Sequence, residues 1–426
     1  MAEPVQIVGA GLAGSLMALY LARRGKAVGL WERRSDMRLE KQAEGRSINL
    51  AISTRGLTAL DRVGLTETVL AEAIAMPGRL IHDLQGNTSF QAYGQSGQAI
   101  QSISRRRLNE LLLNAAQEAG VRCHFNARCR DVDLESGTIT FDTPEGERNV
   151  ASSLSIGADG VFSALRGKMQ RSTRFDFEQH YVSHGYSELC IKANADGSFK
   201  MDKSALHIWP RHDFMLIALP NFDGSFTLTL FLRFERQEKG AWCYEDLQTG
   251  ADLKRFFGEQ FPDVLPMIDE LESNFFEQPP AALCTVRCSP FHHGDKVVLL
   301  GDSAHAVVPF YGQGMNAAFE SARLLDDILA GQSQGPALAE FSRSRIPDAL
   351  AIRQLALDHF ADMSSSTADD LFLHARALEL HLENAIPGYQ SLYSMISFSN
   401  MPYAEAVAKA QHQGRQLARM GEMVQH

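Results

Sequence analysis

Gly9-Ala10-Gly11-Leu12-Ala13-Gly14 is the stretch whose reading decides the fold. Val5-Gln6-Ile7-Val8 precedes it, a short apolar run that reads as a buried parallel strand. Leu12, Leu16, Leu19 and Tyr20 then recur at helical spacing. Gly25 stops that helix behind Arg23 and Arg24, cations well placed for a helix C-terminus. Val28-Gly29-Leu30-Trp31 forms the next strand and ends in Glu32, so the unit is a complete β-α-β. Gly9 allows the tight turn, Gly11 lets a pyrophosphate approach the backbone, and Gly14 lets the helix pack close to the strand. The helix start offers free N–H groups and a positive dipole end to a phosphate. Glu32 stands where an acid accepts hydrogen bonds from ribose hydroxyls. The unit reads as a dinucleotide site.

Two further motifs extend the reading. Gly157-Ala158-Asp159-Gly160 follows the apolar run Leu154-Ser155-Ile156 and is trailed by Ser163 and Arg166. Val297-Val298-Leu299-Leu300 delivers Gly301-Asp302-Ser303-Ala304-His305-Ala306, then Pro309 and Gly312-Gln313-Gly314-Met315-Asn316. Each alone is compatible with an ordinary turn, because Asp-Gly is a common turn pair and Asp a common helix cap. In this order behind the first motif, they point to one flavin laid across a discontinuous domain. Asp302 can hydrogen-bond a ribityl hydroxyl. The glycine-rich loop, before a helix expected to start near Gly314, can aim N–H groups at a flavin ring edge.

The 426 residues are ample for a large core and two or three structural units. A hydrophobic content of 45% with 22% charged residues is that of an ordinary globular protein. The net charge of -10 argues against a general nucleic-acid binder, which needs Lys and Arg in excess. Six cysteines form no CxxC and have no His at zinc-like spacing, so no metal site is expected. They read as free thiols in a reducing cytoplasm. No apolar stretch is long enough to cross a bilayer, and none resembles a signal peptide core.

A helix is expected over 105–119, a strand over 121–125, and a hairpin around Pro144-Glu145-Gly146. Between 175 and 288 the texture changes. Leu206-His207-Ile208-Trp209 and the apolar runs over 214–219 and 225–231 predict a mostly antiparallel sheet, with one helix over 252–271. Beyond Pro336 the pattern is helical, with breaks expected at Pro347, Pro387 and Pro402. The fold class is α/β: a Rossmann-like FAD-binding domain, an inserted antiparallel β-sheet substrate domain and a C-terminal helical region. The expected boundaries are 1–75, 95–174 and 289–335 for the first, 76–94 and 175–288 for the second, and 336–426 for the third.

The three motifs together resemble the FAD-dependent, single-component aromatic hydroxylases. No second GxGxxG occurs, in keeping with that family's lack of a separate nicotinamide domain. Segments outside the motifs resemble the kynurenine 3-monooxygenase family more closely. They are Gly45-Arg46-Ser47-Ile48-Asn49-Leu50-Ala51-Ile52-Ser53, Gly78-Arg79-Leu80-Ile81-His82, Tyr93-Gly94, His184-Gly185-Tyr186, His207-Ile208-Trp209-Pro210-Arg211, Val308-Pro309-Phe310, Arg345-Ile346-Pro347-Asp348 and Leu392-Tyr393-Ser394-Met395. The resemblance implies that Arg79 and Tyr93 clamp an amino-acid carboxylate, a task that suits a guanidinium fork and a phenol. It places Phe231, Pro309 and Phe310 as apolar walls and brings Tyr393 in from the C-terminal helices. It also makes Gly9, Gly11, Leu12, Ala13, Gly14, Glu32, Arg33, Ala51, Arg105, Cys129, Asp159, Gly301, Asp302, Gly314, Met315 and Asn316 the cofactor-binding set.

Two departures stand out. His359 occupies a substrate-facing position where the family typically has Asn, and Asp362-Met363-Ser364 replaces its Glu-Met-Arg. The membrane anchor that ends the family's animal members has no counterpart here. The implied activity uses FAD, NADPH and O2 to hydroxylate L-kynurenine to 3-hydroxykynurenine through a C4a-hydroperoxyflavin. No protein nucleophile and no metal are needed. Two other readings stay open: a hydroxylase of tryptophan or a related aromatic amino acid, and a flavin-binding sensor that performs no hydroxylation.

Overall fold

The computed structural model describes residues 3–39, 49–172, 174–237, 240–361 and 370–424. Gly45-Arg46-Ser47-Ile48 and Asp362-Met363-Ser364, both singled out from the sequence, lie outside the described residues. The three glycine motifs share one sheet. Its order is His292–His293, Val297–Leu299, Leu154–Gly157, Val5–Val8, Val28–Trp31 and Arg122–His124. All neighbours pair in parallel except the first two, which are antiparallel. The strands that deliver the motifs are buried along their whole length, as a sheet covered on both faces requires. Helices Leu12–Arg23, Arg105–Glu118 and Gly314–Gly331 pack together. A three-stranded sheet of Arg128–Val132, Ile139–Thr143 and Gly146–Val150 adds Phe141, stacked on Trp31 at 4.2 Å.

The second large sheet has seven strands, in the order Ala281–Ser289, Asp176–Ile191, Phe226–Arg233, Phe214–Pro220, Ala205–Arg211, Gly78–His82 and Thr88–Ala92. It is antiparallel except where Ala205–Arg211 meets Gly78–His82. One face buries Trp209, Phe214 and Phe226 against Phe256, Phe257 and Phe261. The other face gives Ile208, Met215 and Phe231 to a cluster shared with Phe310, Tyr311 and Tyr393. In a strand, residues an odd number apart point to opposite faces. In Gly78–His82, Arg79 and His82 therefore face opposite ways. His82 Nδ1 lies 2.8 Å from Asp263 Oδ2 and its Nε2 lies 2.9 Å from His207 Nδ1. Trp209 Nε1 donates to the same carboxylate at 2.9 Å. This buried cluster pins the strand that presents Arg79.

Two expectations need correction. The single helix over 252–271 is instead helix Gly250–Gln260, a 3-10 turn Leu265–Met267 and helix Leu271–Phe276. Pro262 disfavours a helical conformation at Phe261, whose φ is -139°. Conversely, Pro347 does not end a helix: Gln334–Ala361 runs through it. The N–H lost at Pro347 is outweighed by anchors on either side. Arg345 reaches Glu320, Ser321 and Ala317 O, and Asp348 accepts from Ala404 N at 2.9 Å. Pro387 and Pro402 do lie in breaks, between Asp370–Ala385 and Leu392–Ser397 and just before Tyr403–Val424.

Buried histidines give the fold a pH dependence. Burial pushes His207 down to about 4 and His305 down to about 3, and the nearby Arg345 charge lowers His305 further. Both are neutral when folded, whereas an exposed His titrates near 6.5. Each depressed pKa therefore contributes stability above the unfolded value. That stability is lost as pH falls from about 6.5 toward the folded values. By pH 4.5 the loss is about 2 kcal/mol per histidine, to order of magnitude. His305 Nε2 is 2.9 Å from Ser321 Oγ. A His305→Gln variant should show a shallower fall of melting temperature between pH 6.5 and 4.5 than the parent. Parallel slopes would remove His305 as a cause.

Candidate active site

The parallel strands place the three motif loops at the carboxyl edge of one sheet, where ligands of open α/β sheets bind. The loops touch. A Cβ at Gly9 would lie 2.3 Å from Ala158 O, and the φ of Gly9 is +102°. Only glycine lets the first motif lie on the second. A Cβ at Gly14 would lie 2.0 Å from Gly9 O, the close helix–turn packing expected of it. A Cβ at Gly301 would come within 3.1 Å of Ala13 Cβ, joining the third motif to the first. Arg166 links the second motif to the third by donating to Ser303 O at 2.9 Å. At Gly11 a Cβ would meet nothing within 4 Å, so this turn borders open space.

The lining of this groove fits FAD. Helix Leu12–Arg23 begins with no side-chain cap and no acid in its first turn, leaving its positive end for an anion. Glu32 is buried and fixed by Ala10 N at 3.0 Å and Arg34 N at 3.1 Å. Asp159 Oδ2 accepts from Ala164 N at 2.7 Å, while its buried Oδ1 has no hydrogen-bond partner among the described residues. Asp302 remains open to solvent, yet the surrounding walls raise its carboxyl above the usual range and the Arg105 charge pulls it back. Arg105 itself is exposed at the start of Arg105–Glu118. Cys129 lies at the rim near Asp159, its thiol pushed up to about 12 by burial and so held protonated. Arg33 is exposed, and Leu12 and Ala13 are half-buried in the first turn of their helix.

Helix Gly314–Gly331, which carries Met315, also starts without a side-chain cap. The side chain of Asn316 has a structural part. Its side chain is fully buried, donates to Ala51 O and Gly312 O at 2.9 Å each, and accepts from Ser53 N at 3.0 Å. Both amide hydrogens and one oxygen lone pair are committed, so the side chain clamps the Ala51 strand to the glycine loop from behind.

A separate cleft is lined by Arg79, Gln91, Tyr93, Tyr393 and acids of the helix Asp370–Ala385. Arg79 is only 5% exposed, and its Nε donates to Gln91 Oε1 at 2.9 Å. Desolvation holds the Tyr93 hydroxyl well above its usual range, against the opposing Arg79 charge, so it is a proton donor at neutral pH. Tyr93 stacks on Tyr393 at 5.4 Å, Tyr393 on Tyr311 at 5.8 Å, and Tyr311 meets His359 at 4.6 Å. Phe231 meets Phe310 at 5.0 Å, and Phe310 stacks on Phe360 at 3.9 Å. Pro309 opens the 3-10 turn that carries Phe310 and Tyr311. The sequence reading missed Gln91 and Tyr311. Gln91 could have been found from the hairpin, since it pairs with Arg79. Tyr311, next to the quoted Val308-Pro309-Phe310, gave no signal of its own. No group of acids, histidines and cysteines suited to a metal occurs among the described residues.

The family described as FAD binding domain matches residues 2–356. Kynurenine 3-monooxygenase of Myxococcus xanthus is 48% identical over 408 residues, covering 94% of this chain and 87% of that protein. The kynurenine 3-monooxygenase of Drosophila willistoni is 41% identical over 424 residues, covering 97% and 91%. Among solved structures, the tetrameric form of 2-methyl-3-hydroxypyridine-5-carboxylic acid oxygenase superposes with a TM-score of 0.71. It is 22% identical and covers 89% of this chain and 96% of its own, a likeness of fold.

Proposed function

This chain belongs to the FAD binding domain family and, within it, to the kynurenine 3-monooxygenases, and from that premise we propose how its cleft handles L-kynurenine. The protein is an FAD-dependent, NADPH-consuming monooxygenase that hydroxylates kynurenine to 3-hydroxykynurenine. Bound FAD supplies the redox chemistry, taking electrons from NADPH and activating dioxygen. The chain's residues bind, orient and exclude water. The helix that begins at Leu12 would hold the pyrophosphate, Glu32 would accept from the ribose, and Asp159 Oδ1 and Asp302 would accept from hydroxyl groups of the cofactor. The uncapped start of Gly314–Gly331 and Arg105 favour negative charge on the ring.

For the substrate, Arg79 and Tyr93 hold the carboxylate, with Gln91 fixing the guanidinium. The observation that carries this reading is the burial of Arg79 in one cleft with Tyr93 and Tyr393. Phe231, Pro309 and Phe310 wall the aromatic ring and keep water from it, which protects a reactive oxygen from wasteful collapse to peroxide. Tyr393 and His359 close the far side through Tyr311. His359, from the long helix Gln334–Ala361, meets the Tyr311 ring there. We assign residues 1–75, 95–174 and 289–335 to the cofactor domain, 76–94 and 175–288 to the substrate domain, and 336–426 to the helical region. Membership of the two large sheets supports that division. No helix among the described residues is long and apolar enough to cross a membrane, and all six cysteines are free, which supports a cytoplasmic site of action.

Mass spectrometry of the product formed from kynurenine by the purified protein with NADPH tests the reading. A gain of one oxygen on the ring is expected. Hydroxylation of tryptophan in its place, or NADPH oxidation without any hydroxylated product, would overturn it. Arg79→Ala should keep its FAD and raise the kynurenine KM by about 100-fold, since truncating a buried charged partner typically costs about 2–5 kcal/mol. Unchanged steady-state kinetics would remove Arg79 from the site.

A further inference from the structure

The Arg79 cleft has two walls of opposite character. Arg79 and Tyr93 lie on one, from the inserted sheet and the turn after it. Glu379 and Glu383 lie on the other, from the helix Asp370–Ala385. They are four residues apart, so they share one helix face. Glu383 is held by main chain. Its Oε1 accepts from Ser391 N at 2.6 Å, and Ser391 Oγ in turn caps Ser394 N at 3.2 Å. That cap opens the helix Leu392–Ser397, which carries Tyr393 into the same cleft. One carboxylate oxygen is thereby anchored to main chain, and the side chain is half-buried.

A free α-amino acid carries its carboxylate and its ammonium on one carbon. A site that grips the first with a buried cation must therefore place the second a short distance away in the same cleft. Without an anionic receptor that ammonium would sit near Arg79, a like charge, balanced by the bound carboxylate alone. We propose that Glu383 receives the substrate's α-ammonium, with Glu379 adding negative potential one turn earlier. The inference rests on the carboxylate clamp set out above and adds the other half of zwitterion recognition. It makes Glu383 a specificity-determining residue: it selects free amino acids over acids of the same shape that lack the amine. It also makes the helix Asp370–Ala385 a part of the binding site and not merely a cover.

The test compares L-kynurenine with its des-amino analogue, 3-(2-aminobenzoyl)propanoate, on the FAD-loaded parent protein and on Glu383→Gln. Gln keeps the acceptor for Ser391 N and removes the charge. Kynurenine KM should rise by about tenfold or more, the range expected on losing a charge-assisted hydrogen bond. KM for the analogue should stay within about twofold, because its only charged group is still held by Arg79. FAD content and kcat for kynurenine should be unchanged. Glu379→Gln should show the same selectivity with a smaller rise. An equal rise for both ligands would mean a structural effect and would overturn the proposal, as would no rise for either. Lower KM for both would show the acids competing with the substrate's carboxylate for Arg79, which also overturns it. A parent protein that neither binds nor hydroxylates kynurenine fails at an earlier step and brings down the substrate reading itself.

Discussion

Gly11→Val should yield a folded protein that comes out of purification without its yellow colour. Three facts lead there. First, a Cβ at Gly11 meets no atom within 4 Å, so the larger side chain does not disturb the protein's own packing. Second, Gly11 has φ -76° and ψ -177°, an extended conformation that valine adopts readily. Third, the side chain would project over the uncapped start of Leu12–Arg23, where the pyrophosphate must come close to main chain. Two charge-assisted hydrogen bonds lost there, each worth about 1.5–3 kcal/mol, weaken FAD binding by about 100-fold or more. Flavin absorbance per protein reads the loss, and the circular dichroism of apo-protein reads the fold. Gly9→Val and Gly14→Val are the contrast. There the added Cβ lands 2.3 Å and 2.0 Å from backbone oxygens, so the fold itself should fail. A Gly11→Val protein with full flavin content would remove this turn from the site.

The second large effect concerns Glu320. Removing its carboxylate should destabilise the protein by about 3–5 kcal/mol, because two buried cations lose their shared counter-charge. Arg55 is 0% exposed, Glu320 3% and Arg345 1%. Arg55 donates to Glu320 Oε1 at 2.5 Å and Arg345 to Oε2 at 2.6 Å. Arg55 also reaches Ile396 O at 3.1 Å and Met401 O, and its guanidinium sits 3.9 Å over the Tyr403 ring. The triad thus ties helices Thr54–Asp61, Gly314–Gly331 and Gln334–Ala361 to the segment that carries Tyr393. Glu320→Ala should lower the thermal midpoint, loosen that segment and weaken kynurenine binding more than FAD binding. Urea unfolding of holoprotein, with hydrogen exchange over 392–401, measures both. An unchanged midpoint would mean that the triad contributes nothing to stability.

Much of the cofactor site was legible because its chemistry acts through main chain. Glycine is required where backbone meets backbone, as at Gly9 and Ala158, and such needs leave an obvious mark on a sequence. The substrate cleft was less legible because side chains from distant segments build it. Arg79 and Tyr393 are far apart along the chain and neither belongs to a motif, so only the likeness of surrounding segments drew attention to them. Gln91 and Tyr311 escaped because a glutamine in a hairpin and a tyrosine in a turn are ordinary there. The side-chain clamp of Asn316 escaped because a sequence does not reveal which way an amide points. Pro347 was read as a break because local rules cannot weigh the tertiary anchors at Arg345 and Asp348.

By itself, then, the sequence determined the parallel sheet, the turns that cradle a dinucleotide and the order in which three motifs meet. These follow from short-range backbone geometry and hydrophobic period. Only the tertiary structure decided which side chains line the Arg79 cleft. Their juxtaposition depends on how one sheet, one glycine loop and the C-terminal helices pack, and packing is a property of contacts between segments remote in the chain.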